Sequence, residues 1–201
     1  MIKYKIIDDF LHKKDFTELI TRISPVPVGF PRTDNISWEF ANVQVEGALS
    51  KEDRFAKITN IKLTSHINTW ALFHFFMVGH SQNQTLECIE PLLFKINPLA
   101  FYRIQANLTV QQEKTTRSPF HIDYGTEALE HTSMLTSIYY MNTTNGPTIL
   151  EDGTEIESRA NRLLTFPSGT FHAGVMCTDQ PYRIVINFNY FKDLELPCHE
   201  S

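Results

Sequence analysis

The chain reads as a mainly β protein with flanking α-helices, built as a sandwich or barrel. Three observations carry this. From Leu99 onward, short runs rich in β-branched and aromatic residues dominate. Turn signals such as Asn145-Gly146 and Asp152-Gly153 separate them, at spacings of about eight to twelve residues. Helical periodicity is confined to the part of the chain before Leu99. With 201 residues, 42% of them hydrophobic, the chain can bury one substantial core. We therefore expect a single domain over 1–201, in which 1–98 gives helical and strand support and 99–191 forms the core.

After a first strand, Asp15 with Glu18 three positions later forms an approximate capping box, and Phe16, Leu19, Ile20 and Ile23 follow the i, i+3, i+4, i+7 pattern of a helix packed on a sheet. Residues 24–32 contain three prolines and a glycine and read as an irregular connection. Residues 36–63 read as strands and loops, with no domain linker. The longest strongly apolar stretch, Trp70 to Val78, is interrupted by His74 and is too short to span a bilayer. A second helix is expected from Thr85 to Ile96, where Leu86, Ile89, Leu93 and Ile96 share a face; Pro91 must sit early in it or kink it. Beyond Leu99, strands are expected at Tyr102–Asn107 and Ile138–Asn142, on both sides of the Pro167-Ser168-Gly169 turn, and over Tyr182–Phe191.

Charge and cysteine usage narrow the function. Eighteen Lys and Arg against 23 Asp and Glu leave a formal charge of −5. No lysine- or arginine-rich cluster supplies the concentrated basic face of a nucleic-acid groove, so nucleic-acid binding is disfavoured. Three widely spaced cysteines, Cys88, Cys177 and Cys198, suggest reduced thiols in a cytoplasmic setting. The amino terminus does not resemble a signal peptide, and no membrane association is expected. Oligomeric state has no sequence signal.

The chemistry-bearing constellation is His121-Ile122-Asp123, then His172 and Arg183. Alternate residues of a strand share a face, so the His-X-Asp triplet can send imidazole and carboxylate to one metal. A second imidazole from a distant strand completes a facial triad of two His and one carboxylate. Such a triad suits Fe(II) and leaves adjacent coordination positions open. Arg183 lies 11 positions past His172 at the start of an apolar strand, where a guanidinium needs an anionic partner; a surface carboxylate at the strand's exposed end would also satisfy it.

On these residues the chain resembles the Fe(II)- and 2-oxoglutarate-dependent dioxygenases, in their prolyl-4-hydroxylase-like group, and is similar to phage and marine microbial members. The resemblance spans 99–191. It rests on Phe120-His121-Ile122-Asp123, Ile138-Tyr139-Tyr140-Met141-Asn142, the expected turn Asn145-Gly146-Pro147-Thr148, Asn161-Arg162-Leu163-Leu164-Thr165-Phe166-Pro167 and His172. The opening Lys5–Leu11 also resembles the strand before the family's first helix. The resemblance implies a double-stranded β-helix, a jelly-roll or cupin-like barrel. It also implies iron held by His121, Asp123 and His172, with Arg183 gripping the distal carboxylate of 2-oxoglutarate. The implied reaction consumes dioxygen, with ascorbate as a candidate auxiliary reductant. It decarboxylates 2-oxoglutarate oxidatively to succinate and CO2 and hydroxylates an acceptor, either a peptide, with a peptidyl proline as one candidate, or a small molecule. Departures bear on the acceptor: many prolyl hydroxylases have Lys at the anchor, a Gly pair where Asn145-Gly146 stands, and a Trp near Asn187 and Asn189.

Asn107, Tyr139 and Asn187 are further candidates to hydrogen-bond 2-oxoglutarate, with ordinary barrel packing as the alternative. The polar segments 111–119 and 125–133 flank the first ligand strand and are candidate lids. His66, His74, His80 and His131 read as core, surface or loop residues, and Cys198-His199 as a frayed tail. Two other readings remain: a cupin-like metalloenzyme that does not use 2-oxoglutarate, and a non-catalytic jelly-roll binding or structural protein.

Overall fold

A computed structural model describes residues 2–25, 36–42, 70–123 and 133–192 of the chain. Strand β1 (Lys5–Ile7) leads into helix α1 (Lys13–Ile23). Strands β2 (Glu39–Asn42), β3 (Trp70–Val78) and the short β4 (Ser81–Gln82) precede a 3-10 helix (Gln84–Ile89) that runs into α2 (Glu90–Ile96). Strands β5 (Ala100–Val110), β6 (Met134–Tyr140), β7 (Thr144–Leu150) and β8 (Glu155–Ser158) follow. Strands β9 (Arg162–Pro167), β10 (His172–Gly174) and β11 (Tyr182–Phe191) complete the described part.

The strands form two sheets. The larger has the order β1-β9-β6-β11-β5-β3-β2, with β4 added to β3, and the smaller has the order β10-β7-β8. Every described pairing is antiparallel. Isolated bridges Arg117↔Val175 and His121↔His172 lay the segment after β5 along the smaller sheet. This pair of facing sheets is a double-stranded β-helix, as the family resemblance implies.

The larger sheet is buried on both faces. Its outer face carries Ile104, Ala106, Tyr139, Ile186 and Phe188, packed with Leu19 and Ile23 of α1 and Leu92 and Ile96 of α2. Each of the Leu, Ile and Phe side chains contributes about 1.5–3 kcal/mol on full burial. Between the sheets, Ile138, Tyr140, Leu164, Phe166 and Val185 pack on Leu150 and Ile156 of the smaller sheet. All seven residues of β6 are consequently buried, and the strand lacks the polar alternation of a one-sided sheet.

Local details differ from the sequence expectations. The N-cap of α1 is His12, whose side chain accepts from the Lys14 amide, whereas Asp15 falls in the first turn; there its charge complements the helix dipole. The expected helix over 85–96 is divided. Asn83 caps the 3-10 segment and Pro91 occupies the first turn of α2, where its missing amide hydrogen removes no intrahelical bond. Trp70–Val78, read from the sequence only as a short apolar stretch, is a long strand at the middle of one wing of the sheet.

Asn145-Gly146 does not make the turn after β6. The chain bends at Met141 and Asn142, and Asn145-Gly146 lies within β7. The glycine is needed for a close approach: a Cβ at Gly146 would collide with the Val175 carbonyl oxygen. Asp152-Gly153 does form a turn, with Gly153 at φ 88°. Residues 26–32 and 43–63, expected as connection and strands, lie outside the described residues.

Candidate metal centre

The triad assembles where the two sheets meet. His121 and His172 face each other across their isolated bridge, exchanging backbone bonds of 3.0 and 2.9 Å. Asp123 follows two residues after His121, and its Oδ1 lies 3.8 Å from His121 Nε2 and 3.7 Å from His172 Nε2. One ligand atom from each residue falls within 4.8 Å of the others. Asp123 and His172 side chains are 4% and 3% exposed, against 27% for His121. The centre therefore opens past His121.

Hydrogen bonding prepares the ligand atoms. His121 Nδ1 donates to the Pro119 carbonyl at 2.9 Å and His172 Nδ1 to the Thr170 carbonyl at 3.1 Å. A carbonyl only accepts, so each ring carries a proton on Nδ1 and turns Nε2 toward the centre as its one atom free to ligate. His172 Nε2 is buried with no hydrogen-bond partner, an arrangement that costs free energy unless something coordinates the nitrogen. Asn189 Nδ2 donates to Asp123 Oδ2 at 3.0 Å, and also to Thr136 Oγ1 at 3.0 Å, which leaves Asp123 Oδ1 to face the imidazoles. Two imidazole Nε2 atoms and one oriented carboxylate fit an Fe(II)-type cation.

Electrostatics keeps these groups ready for a cation. Burial alone would push the Asp123 carboxyl up. The adjoining His172, then Arg103 and His121, more than reverse this and hold it well below the usual carboxylate range. Burial, with His172 beside it, holds His121 below its ordinary value against the opposing pull of Asp123.

A cavity of about 440 Å³ runs from the triad to Arg183. Arg183 is 6% exposed; its Nε donates to the Gly146 carbonyl at 2.9 Å and its Nη2 to Thr148 Oγ1 at 3.0 Å. Tyr140 donates to the same hydroxyl at 2.8 Å, and its ring lies 5.5 Å from the guanidinium carbon. No carboxylate pairs with Arg183 among the described residues. Burial pushes its pKa down, only partly countered by Tyr140 and Cys177, yet a guanidinium stays charged. Thr109 stands opposite Arg183 in the sheet register, and its Oγ1 is buried without a partner. In the smaller sheet Thr148 pairs with Gly174, two residues from His172, so the cationic end and the triad are separated by about 7 Å along β10.

Of the other sequence candidates, Asn107 and Asn187 line the cavity. Gln105 Nε2 donates to Asn107 Oδ1 at 2.6 Å, whereas Asn187 Oδ1 has no partner. Tyr139 does not line it, a correction to the expected co-substrate contact. Its side chain occupies the outer face of β6, where the hydroxyl donates to Asn161 Oδ1 at 2.7 Å and the ring meets Phe10 and Phe16 edge-on. Its neighbour Tyr140 faces inward. The sequence reading missed Asn189, Thr148, Thr109, Tyr140 and Arg103. Alternation from Arg183 along β11 would have placed Asn189 on the inner face. For the hydroxyls no comparable signal exists.

Segment 111–119 lies against the turn before β11. Gln112 and Ser118 amides donate to the Cys177 and Gly174 carbonyls, and the Met176 amide to Thr116; Ser118 and Pro119 form one wall of the cavity. Residues 125–132 of the second candidate lid lie outside the described residues. His74 is a satisfied core histidine, bonded at 2.6 Å to both the Ser37 carbonyl and the Thr85 hydroxyl. His80 is exposed, and His66, His131 and Cys198-His199 lie outside the described residues.

No protein-family model matches the chain, and no curated protein does. Solved structures do match. A prolyl hydroxylase from Trichoplax adhaerens, in complex with a hypoxia inducible factor oxygen degradation domain peptide fragment, superposes with a TM-score of 0.59 at 15% identity, covering 96% of this chain and 84% of that one. The non-heme alpha ketoglutarate dependent epimerase SnoN from nogalamycin biosynthesis gives 0.57 at 9% identity, over 95% and 79%. A Pseudomonas putida prolyl-4-hydroxylase gives 0.50 at 14% identity, over 96% and 94%. The fold is thus the one these oxygenases share.

Proposed function

We propose that this protein is an Fe(II)- and 2-oxoglutarate-dependent dioxygenase that hydroxylates a peptide or small-molecule acceptor, with a peptidyl proline among the candidates. The observation that carries the reading is one cavity holding two complementary ends. At one end are two imidazole Nε2 atoms and an oriented carboxylate; at the other is a buried guanidinium without a carboxylate partner among the described residues. That spacing suits a short dicarboxylate bridging cation and metal.

His121, Asp123 and His172 would hold the iron. Bound with 2-oxoglutarate and dioxygen, it supplies oxidative decarboxylation to succinate and CO2 coupled to hydroxylation of a C–H bond. The chain's share is positioning. Arg183 pairs with the distal carboxylate of 2-oxoglutarate, with the Thr109 hydroxyl as an added donor. The Gly146 carbonyl and Thr148 hydroxyl hold the guanidinium on course. Asn107 and Asn187 add polar contacts inside the cavity, and Asn189 keeps Asp123 turned toward the metal. Free, buried Cys88 and Cys177 fit a cytoplasmic setting. No described helix is long and apolar enough to cross a membrane.

The test is succinate formation by anaerobically purified protein given Fe(II), ascorbate, 2-oxoglutarate and air, beside His172→Ala and Arg183→Ala. We expect succinate above both variants, and tight Mn(II) binding that His172→Ala loses and Arg183→Ala keeps. Mn(II) binding with no 2-oxoglutarate dependence would indicate a cupin-like metalloenzyme. Failure to bind either would overturn the enzyme reading.

A further inference from the structure

Two guanidiniums line the cavity among the described residues, and the co-substrate reading uses one. Arg103 lies on β5, six residues before the Thr109 that faces Arg183. That is about 20 Å along the strand, at the metal end and away from the co-substrate anchor. In register it stands opposite Asn189, the residue that orients Asp123.

The direct contacts of Arg103 are with neutral groups, and Asp123 feels its charge from further off. Its guanidinium donates to Gln105 Oε1 and lies 5.8 Å from the centroid of Phe75. Among the described residues no carboxylate pairs with it, and the one carboxylate of these that lines the cavity is Asp123, committed to the triad. Gln105, in turn, is fixed by its donation to Asn107, so the guanidinium is held in place with donors to spare. Phe75 is 40% exposed at the same mouth. Opposite Gln105 across the sheet, the buried Asn187 Oδ1 faces the cavity unpartnered. A held, half-buried cation, an exposed aromatic face and an orphaned acceptor together describe a ligand surface.

Building on the proposed function, we propose that Arg103 binds a carboxylate of the acceptor, that Phe75 packs against the acceptor's apolar carbon, and that Asn187 accepts from one of its N–H or O–H groups. The substrate class is a carboxylate-bearing molecule with an apolar body. Its carboxylate comes either from a free acid or from an acidic residue of a peptide.

The experiment measures binding to anaerobic protein loaded with Mn(II) and saturated with 2-oxoglutarate. One probe pair is N-acetylleucine against N-acetylleucinamide; the other is Ac-Ala-Glu-Pro-Ala-NH2 against its Gln counterpart. In at least one pair the acid should bind about tenfold or more tightly than its neutral partner, the scale of a charge-assisted hydrogen bond. The pair that shows the preference identifies the source. The preference should vanish in Arg103→Gln, persist in part in Arg103→Lys, and survive in Arg183→Gln measured without 2-oxoglutarate. Arg103→Gln should still bind 2-oxoglutarate, through Arg183. Equal or absent binding of acid and neutral probes in both pairs, or a preference that survives Arg103→Gln, would overturn the proposal. Loss of 2-oxoglutarate binding by the wild type would instead sink the dioxygenase reading, and the acid-to-amide comparison on the Mn(II)-loaded protein would still be readable.

Discussion

Asn189 shows how much of a candidate metal centre resides in residues that would never touch the metal. A carboxylate has two oxygens of equal basicity. By occupying Oδ2, the Asn189 amide decides that Oδ1 is the one turned toward the two Nε2 atoms. The Pro119 and Thr170 carbonyls do the same for the histidines by fixing their tautomers. Removing such an outer partner typically weakens metal binding by about 10–100-fold. Asn189→Ala should lower Mn(II) affinity within that range while the circular dichroism spectrum is retained; unchanged affinity would mean that Asp123 needs no orientation. At this scale the clustering of His121, Asp123 and His172 was legible, because a His-X-Asp triplet and a distant His have few other uses together. Asn189 and Thr148 were not, since amides and hydroxyls are common in any strand and acquire a role only from what lies across the sheet.

At the scale of elements, the two tyrosines of β6 mark where sequence patterning stops informing. Alternation identifies a face only when one side of a sheet is wet. Every β6 residue is buried, so Tyr139 and Tyr140 look equivalent in sequence and have opposite surroundings. Tyr139 braces α1 through Phe16 and joins the Asn161 side chain, which also binds the Leu11 backbone from both its amide atoms. Burial pushes the Tyr139 hydroxyl pKa up, so it remains a donor at ordinary pH. Tyr139→Phe should cost about 1 kcal/mol of stability, read as a lower urea midpoint, with 2-oxoglutarate affinity unaltered. A weaker 2-oxoglutarate affinity at unchanged stability would return Tyr139 to the site.

The start of the chain is tied to β9 by a second device. Asp8 accepts from Arg162 Nε at 2.6 Å and Nη2 at 3.1 Å, and from Arg159 Nη1 at 3.1 Å. The Arg162 hydrogen bond holds the Asp8 carboxyl below its ordinary value. Because the folded state depresses this pKa, the stabilisation is complete above about pH 4, the unfolded value, and is lost as pH falls through the lowered folded value. Partial exposure limits it to about 0–1 kcal/mol. Asp8→Asn should therefore be slightly less stable than wild type in urea at pH 7, with the gap closing as pH falls through the lowered folded value. A gap that persists in acid would assign the loss to packing.

For the molecule as a whole, strand content and the helical support were readable from residue types and periodicity. Strand order was not. Nothing local in Tyr182–Phe191 says that β11 belongs between β5 and β6, or that β1 pairs with β9; these partnerships are decided by which buried faces fit across long sequence separations. The same remoteness explains Arg103. Its position in β5 was visible, but its place at the metal end follows only from the register with β11.

Strand β11, the last of the described strands, fills the gap between β5 and β6 and carries Arg183, Asn187 and Asn189 on its inner face. While the chain is being synthesised, β5 and β6 emerge before it, and each waits with an open backbone edge. Such edges template pairing with other chains. The nascent protein thus passes through a window in which its two central edges are exposed to neighbours on the same polysome. Closing the sheet, and completing both ends of the cavity, is one and the same late event.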